Sequence, residues 1–255
     1  MGETVMWLRR FATVLLAAML SCGVGERAAY AQPSSAFTVP PGGRVLVSFE
    51  AYCLDFGGTF PRALAAPNTN AGLAPANVRA ALNYIRGHRP ADSQAALQAQ
   101  YAIWRLRGVA GLPRGSDAVA QGTPVTDPAN ARSILDGGLN RGEWSLDVTA
   151  WGPIGRPVQI ASGAPEYFYG AGQMLVRNNT RQQLALYMPV GTIFPPTGSG
   201  HQRMTGYPTG VQVVRLPQTG GGEVALAAAV CTAWLAVGVQ FWRTRRRVAV
   251  PQSAV

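Results

Sequence analysis

From Val45 to Leu54 the chain reads VLVSFEAYCL, a short apolar-rich run closed by Gly57, Gly58 and Pro61. Such a run bounded by turn residues predicts a strand that ends at Cys53. Residues 62–75 lack periodicity and read as loop. Two helices follow. Val78, Leu82 and Ile85 recur at helical spacing over 77–86, with Gly87 at the C-terminus. Leu97, Tyr101 and Trp104 form the stripe of a second helix over about 93–107, with Asp92 as N-cap and Gly108 just past its end. Residues 108–128 form a Gly/Pro-rich loop, and Asp127-Pro128 starts a short helix through Leu135. From Trp144 onward the runs WSLDVTAW, PVQIAS, QMLVRN, LALYMPVGTIF and VQVVRL are separated by Gly, Pro and Asn signals, with a turn at Asn178-Asn179-Thr180. The expected fold class is α+β: a β-rich domain, antiparallel sandwich or barrel-like, with a small helical insertion after its first strand.

The two ends change the picture. Arg9 and Arg10 precede an apolar core from Phe11 to Val24, and Ala29-Tyr30-Ala31 offers a small-x-small cleavage pattern. Residues 1–31 therefore read as a signal peptide, because the core is shorter than the roughly 20 apolar residues that a span needs. Met19-Leu20-Ser21-Cys22-Gly23 loosely follows a lipobox, which keeps lipidation of Cys22 as an alternative. At the other end, LPQTG at 216–220 precedes an apolar run, 224–242, and the cluster RTRRR at 243–247. An apolar run of that length crosses a bilayer, and the arginines stay cytoplasmic. This arrangement, 216–255, resembles a sortase cell-wall sorting signal carried by Leu216, Pro217, Thr219 and Gly220. The resemblance implies cleavage between Thr219 and Gly220, with sortase and peptidoglycan as partners and the bacterial cell wall or membrane surface as location.

Between these ends lie roughly 190 residues, read as 32–142 and a β-rich 143–216 that belongs to the same domain or to a second small one. Fifteen arginines face nine acidic residues there, a net charge near +6, and all 22 basic residues of the chain are arginine. The scattered charges make no nucleic-acid footprint and suit an anionic surface or polymer. Without lysine, Lys–Asn isopeptide crosslinks cannot form.

Cysteine count then isolates Cys53. Cys22 falls in the leader and Cys231 in the sorting tail, so Cys53 has no disulfide partner in the mature chain. A lone cysteine in an exported protein is either a reactive thiol or a small buried hydrophobe. Gln100 raises a second question, since it falls on a helix face between Ile103 and Trp104. A buried amide needs hydrogen-bond partners, which assigns Gln100 to bracing another backbone segment.

YCLD at 52–55, followed by AQYAIW at 99–104, resembles the thioester domains of bacterial surface adhesins. Their signature is an aromatic-Cys-aliphatic motif followed by TQxAIW. Gln100, Ala102, Ile103 and Trp104 match it, and Ala99 stands where threonine is usual. The resemblance implies an internal thioester between Cys53 and a later glutamine, supported by Tyr52, Gln100 and Trp104, for covalent adhesion to amine-bearing targets. The partner glutamine usually lies in an aliphatic-Gln-x-x-aliphatic run. Gln173 has the downstream aliphatic but follows Gly172. Gln202 has the expected chain position without either flank, and Gln100 is the remaining alternative. Attack by an amine would expel Cys53 and leave the glutamine acyl group on the target, a surface protein, amine or glycan.

Other functions fit less well. A cysteine hydrolase needs a histidine base and an orienting partner. His88 and His201 sit in no catalytic motif, and one cysteine with two histidines at unrelated spacings makes no metal site. No metal or cofactor is expected, and no enzyme beyond a single-turnover binder. The rival is a non-covalent binding or structural β-module with an unreactive Cys53, recognising through exposed rings at Tyr167, Phe168 and Tyr169.

Overall fold

The structure is a computed structural model, and it describes residues 36–160 and 165–214. The expected signal peptide, Cys22, the expected sorting signal with Leu216, Pro217, Thr219 and Gly220, the apolar run and the arginine-rich stretch lie outside the described residues. Among the described residues no helix is long and apolar enough to cross a membrane.

In chain order the first half contains β1 (Ala36–Val39), β2 (Arg44–Cys53), α1 (Ala76–Gly87), α2 (Ser93–Leu106), α3 (Asp117–Gln121), β3 (Arg132–Ser133) and α4 (Gly137–Asn140). The second half contains β4 (Trp144–Pro153), β5 (Val158–Gln159), β6 (Pro165–Glu166), β7 (Tyr169–Asn178), β8 (Leu184–Tyr187), β9 (Thr192–Phe194) and β10 (Met204–Val214). The fold is α+β, dominated by strands, with a curled antiparallel sheet in the form of a half-barrel.

That sheet has the order β4-β7-β2-β10-β9. β2, from the first half of the chain, lies between β7 and β10 from the second, so the two halves share one sheet. Register shifts between Val148 and Ala150 in β4, and between Pro208 and Gly210 in β10, increase the local twist that curls it. Gly172 keeps the curled face close-packed. A Cβ there would meet the Phe49 ring at 2.5 Å, and Phe49 stacks on Trp151 and on Phe194.

Alternation along β2 sorts its side chains. Val45, Val47, Phe49, Ala51 and Cys53 point into one core cluster, together with Phe37 and Val39 of β1 and Leu184 and Leu186 of β8. Tyr52 and Leu54 join a second cluster with Val78, Ala81, Leu82 and Ile85 of α1. α2 serves both. Leu97, Tyr101 and Trp104 face the Cys53 cluster, whereas Ala99, Ala102 and Ile103 face the other. The Asp92 carboxylate caps α2 by accepting from the Ala95 N–H at 2.8 Å, and Gly108 takes φ +85° past its end.

Three expectations are corrected. The short helix through Leu135 does not form, because Arg132 and Ser133 pair parallel with β8 and Asp136 caps α4 instead. The Ser/Pro-containing stretch 32–41, whose sequence has no periodicity and predicts no element, holds a strand, β1, paired with β8. LALYMPVGTIF splits into β8 and β9 around Pro189 and Gly191, the latter at φ +88°.

Candidate functional site

Cys53 is the last residue of β2, where the strand stops supplying ladder partners on both sides. Its N–H donates to the Phe168 carbonyl at 2.9 Å and to Gln100 Oε1 at 3.1 Å. Its carbonyl accepts from Gln100 Nε2 at 2.8 Å. Gln100, fully buried between the two faces of α2, therefore holds both backbone polar groups of the cysteine. Bracing, the role its helix position implied, is what the geometry gives it. With both amide atoms turned to backbone, it is not aimed at the thiol.

The thiol itself is fully buried and donates to Met204 Sδ at 3.7 Å. Met204 is its direct partner across β2 and β10. The pairing continues past the strand ends, since the Leu54 N–H donates to the Arg203 carbonyl at 2.8 Å. Gln202 is thus the diagonal neighbour of Cys53, at the roughly 7–8 Å spacing that long side chains bridge. It is 4% exposed, and its Nε2 donates to the Gly58 carbonyl. Its Oε1 is buried without a hydrogen-bond partner among the described residues, a condition that costs about 1–3 kcal/mol.

Gln173 is placed elsewhere. It pairs with Ser48, five residues back along β2, and alternation puts Ser48 on the face opposite Cys53. Of the three candidate partners, the fold brings Gln202 and Gln100 to Cys53 and holds Gln173 away.

The turn Phe56–Phe60 covers the pair. A Cβ on Gly58 would meet Gln202 Cγ at 2.9 Å, so the glycine lets this turn lie against the amide. Below it, Trp104 Nε1 donates to the Asp55 carbonyl at 3.0 Å, and Phe56 meets Trp104 edge-on at 5.0 Å. Tyr52 does not share this shelter, because it faces the other cluster and stacks on Tyr169 at 5.4 Å. Outside the pair, Arg203 forks onto both oxygens of Asp55, at 2.8 and 2.7 Å. The Arg203 hydrogen bond holds the Asp55 carboxyl below its usual range, partly opposed by desolvation.

Burial pushes the Cys53 thiol well above its ordinary value, and the charges of Glu166 and Asp55 push it further. In this state the group is a thiol, not a standing thiolate nucleophile. Neither histidine is bonded to it. His88 Nδ1 lies 3.1 Å from the Tyr84 carbonyl, and His201 Nδ1 lies 2.7 Å from Thr59 Oγ1. No group of three His, Cys, Asp or Glu side chains among the described residues is arranged to hold a metal ion.

Of the three aromatic residues 167–169, Phe168 is core and Tyr169 is half-buried on Tyr52. Tyr167 is half-buried against Phe60, at 5.9 Å. The run is packing first, which removes the three-ring recognition face expected of a binding module. Glu166, Met204 and the Asp55–Arg203 pair were not singled out in sequence. Only the YCLD motif touched one of them, through Asp55.

These residues define a β-rich domain whose one cysteine among the described residues is braced by a helix glutamine and flanked by a second, incompletely bonded glutamine. Comparisons of the chain with protein-family models, with curated proteins and with solved structures return no match.

Proposed function

We propose that this chain is a secreted, cell-surface-anchored protein in which Cys53 and Gln202 form an internal thioester for covalent adhesion to amine-bearing targets. The observation that carries the reading is the position of Gln202. It is the diagonal neighbour of Cys53, nearly buried, with an amide oxygen that has no hydrogen-bond partner among the described residues. Bond formation joins the Cys53 sulfur to the Gln202 acyl carbon and releases the amide nitrogen as ammonia. Gln100 supports the bond by fixing the cysteine backbone, and Trp104 by sheltering it. The surface location rests on the leader and on the LPQTG-apolar-arginine ending, with sortase and peptidoglycan as the implied partners.

A second reading has its own observation. The Cys53 thiol is fully buried against Met204, the contact that a small core hydrophobe makes. On that reading the domain is a non-covalent surface module.

Intact mass separates the two. The purified protein should be lighter than its calculated mass by one ammonia and gain one methylamine on treatment. Cys53→Ala and Gln202→Ala should abolish both changes, whereas Gln173→Ala should leave them intact. A wild-type mass equal to that of the free-thiol chain, in fresh protein, overturns the thioester.

A further inference from the structure

The end of β2 has a neighbour on each side. Met204 stands opposite Cys53 on the β10 side, and Phe168 on the other, where its carbonyl accepts the Cys53 N–H. Two residues further along each flanking segment come Gln202 and Glu166, both beyond the point where β2 stops. The site is therefore bordered by an amide on one flank and a carboxylate on the other. Glu166 lies close enough that its charge acts on the Cys53 thiol.

Glu166 is one of three acidic residues, with Asp92 and Asp147, that form no ion pair among the described residues, and of the three it is the one whose charge acts on Cys53. Ion pairs among the described residues engage Glu50, Asp55, Asp117, Asp127, Asp136 and Glu143. Glu166 takes part in none of them, in a chain with an excess of arginine. Asp55, the other carboxylate whose charge acts on Cys53, is already occupied by Arg203. A half-buried carboxylate without a cation among the described residues is free to bind one from outside.

We propose that Glu166 is the positioning residue for the incoming nucleophile: it holds an alkylammonium group over the Gln202 acyl carbon and takes the first of its protons. The proposal rests on the Cys53–Gln202 thioester reading. Its proton balance is complete. The ammonium gives one proton to Glu166, and the freed nitrogen lone pair attacks the acyl carbon. A C–N bond forms as the C–S bond breaks. A second proton passes from nitrogen to sulfur, and the third stays on the new amide. Sulfur has to leave as the thiol, because burial, and after it the charge of Asp55, oppose a thiolate there even once Glu166 is protonated. The same carboxylate that attracts a cation gives no comparable attraction to water, which biases the acyl group toward amines.

The test compares two nucleophiles on the purified protein: methylamine, a cation at neutral pH, and hydroxylamine, which is neutral there. Mass spectrometry gives the initial rate of each adduct. Glu166→Gln should keep the ammonia-deficient mass and the hydroxylamine rate but lose about tenfold or more in the methylamine rate, the factor that a charge-assisted hydrogen bond carries. Glu166→Asp, which keeps the charge, should recover most of the preference. An unchanged methylamine-to-hydroxylamine ratio in a Glu166→Gln protein that carries the bond overturns the role of Glu166 and leaves the thioester standing. Variants that both lack the bond place Glu166 in bond formation and overturn amine capture. A wild type without the mass deficit overturns the thioester and this inference together.

Discussion

Gln100 holds Cys53 by its whole peptide edge, accepting from the N–H at 3.1 Å and donating to the carbonyl at 2.8 Å. The two residues lie 47 positions apart, so this contact ties α2 to the end of β2. Replacement by alanine leaves the buried Cys53 carbonyl without its side-chain donor and opens a cavity between the two core clusters. Gln100→Ala should therefore cost about 2–4 kcal/mol in urea denaturation. A loss below about 0.5 kcal/mol, the range of neutral surface substitutions, would show that the bracing is not structural.

Gly58 is set against Gln202 closely enough that an added methyl would meet its Cγ at 2.9 Å. Both sides of that contact are constrained, since Gln202 also donates its N–H to the Thr59 carbonyl at 3.0 Å. Gly58→Ala should push the amide away from Cys53. If wild type carries the proposed thioester, purified Gly58→Ala should show a smaller ammonia-deficient fraction than wild type by intact mass. An equal fraction would mean that the turn does not hold Gln202 in place.

Asp55 and Arg203 give the site a pH dependence whose sign follows from linkage. The Asp55 carboxyl is held below its usual range chiefly by the Arg203 hydrogen bond. A group depressed in the folded state contributes stability above its unfolded pKa, about 3.9, and loses it as pH falls through the folded value. Wild type should lose this contribution progressively below about pH 4. Asp55→Asn should be less stable at neutral pH and should converge on wild type in acid. Denaturation midpoints from pH 7 to pH 2 test this, and parallel curves would remove Asp55 from the account.

The elements with a strong local signal are legible in the sequence alone. β2, α1 and α2 are each marked by periodicity and by their stops, and Asp92 caps α2 where it was expected to. Gln100 was legible as a brace because an amide on a buried helix face has few alternatives. What the linear pattern does not carry is register. Choosing between Gln173 and Gln202 requires knowing that Met204 and Phe168 stand on the two sides of Cys53, whereas Gly172 stands opposite Phe49, because one residue of shift exchanges the faces of a strand. The Asp55–Arg203 pair spans 148 positions and has no local signature at all. The helix expected through Leu135 failed because pairing with β8 satisfies that backbone instead.

The path of β10 has a mechanical meaning. If a target is joined to Gln202 and the wall to Thr219, tension between them runs through the backbone of that one strand, from Gln202 through Val214. On that reading the thioester would have been spent by then, and no second covalent route would pass through the domain. A strand is already near full extension, and pulling on its two ends finds almost no slack to release. Under load the domain would ride on a taut cord, and its unfolding would neither lengthen the tether nor let go of the target.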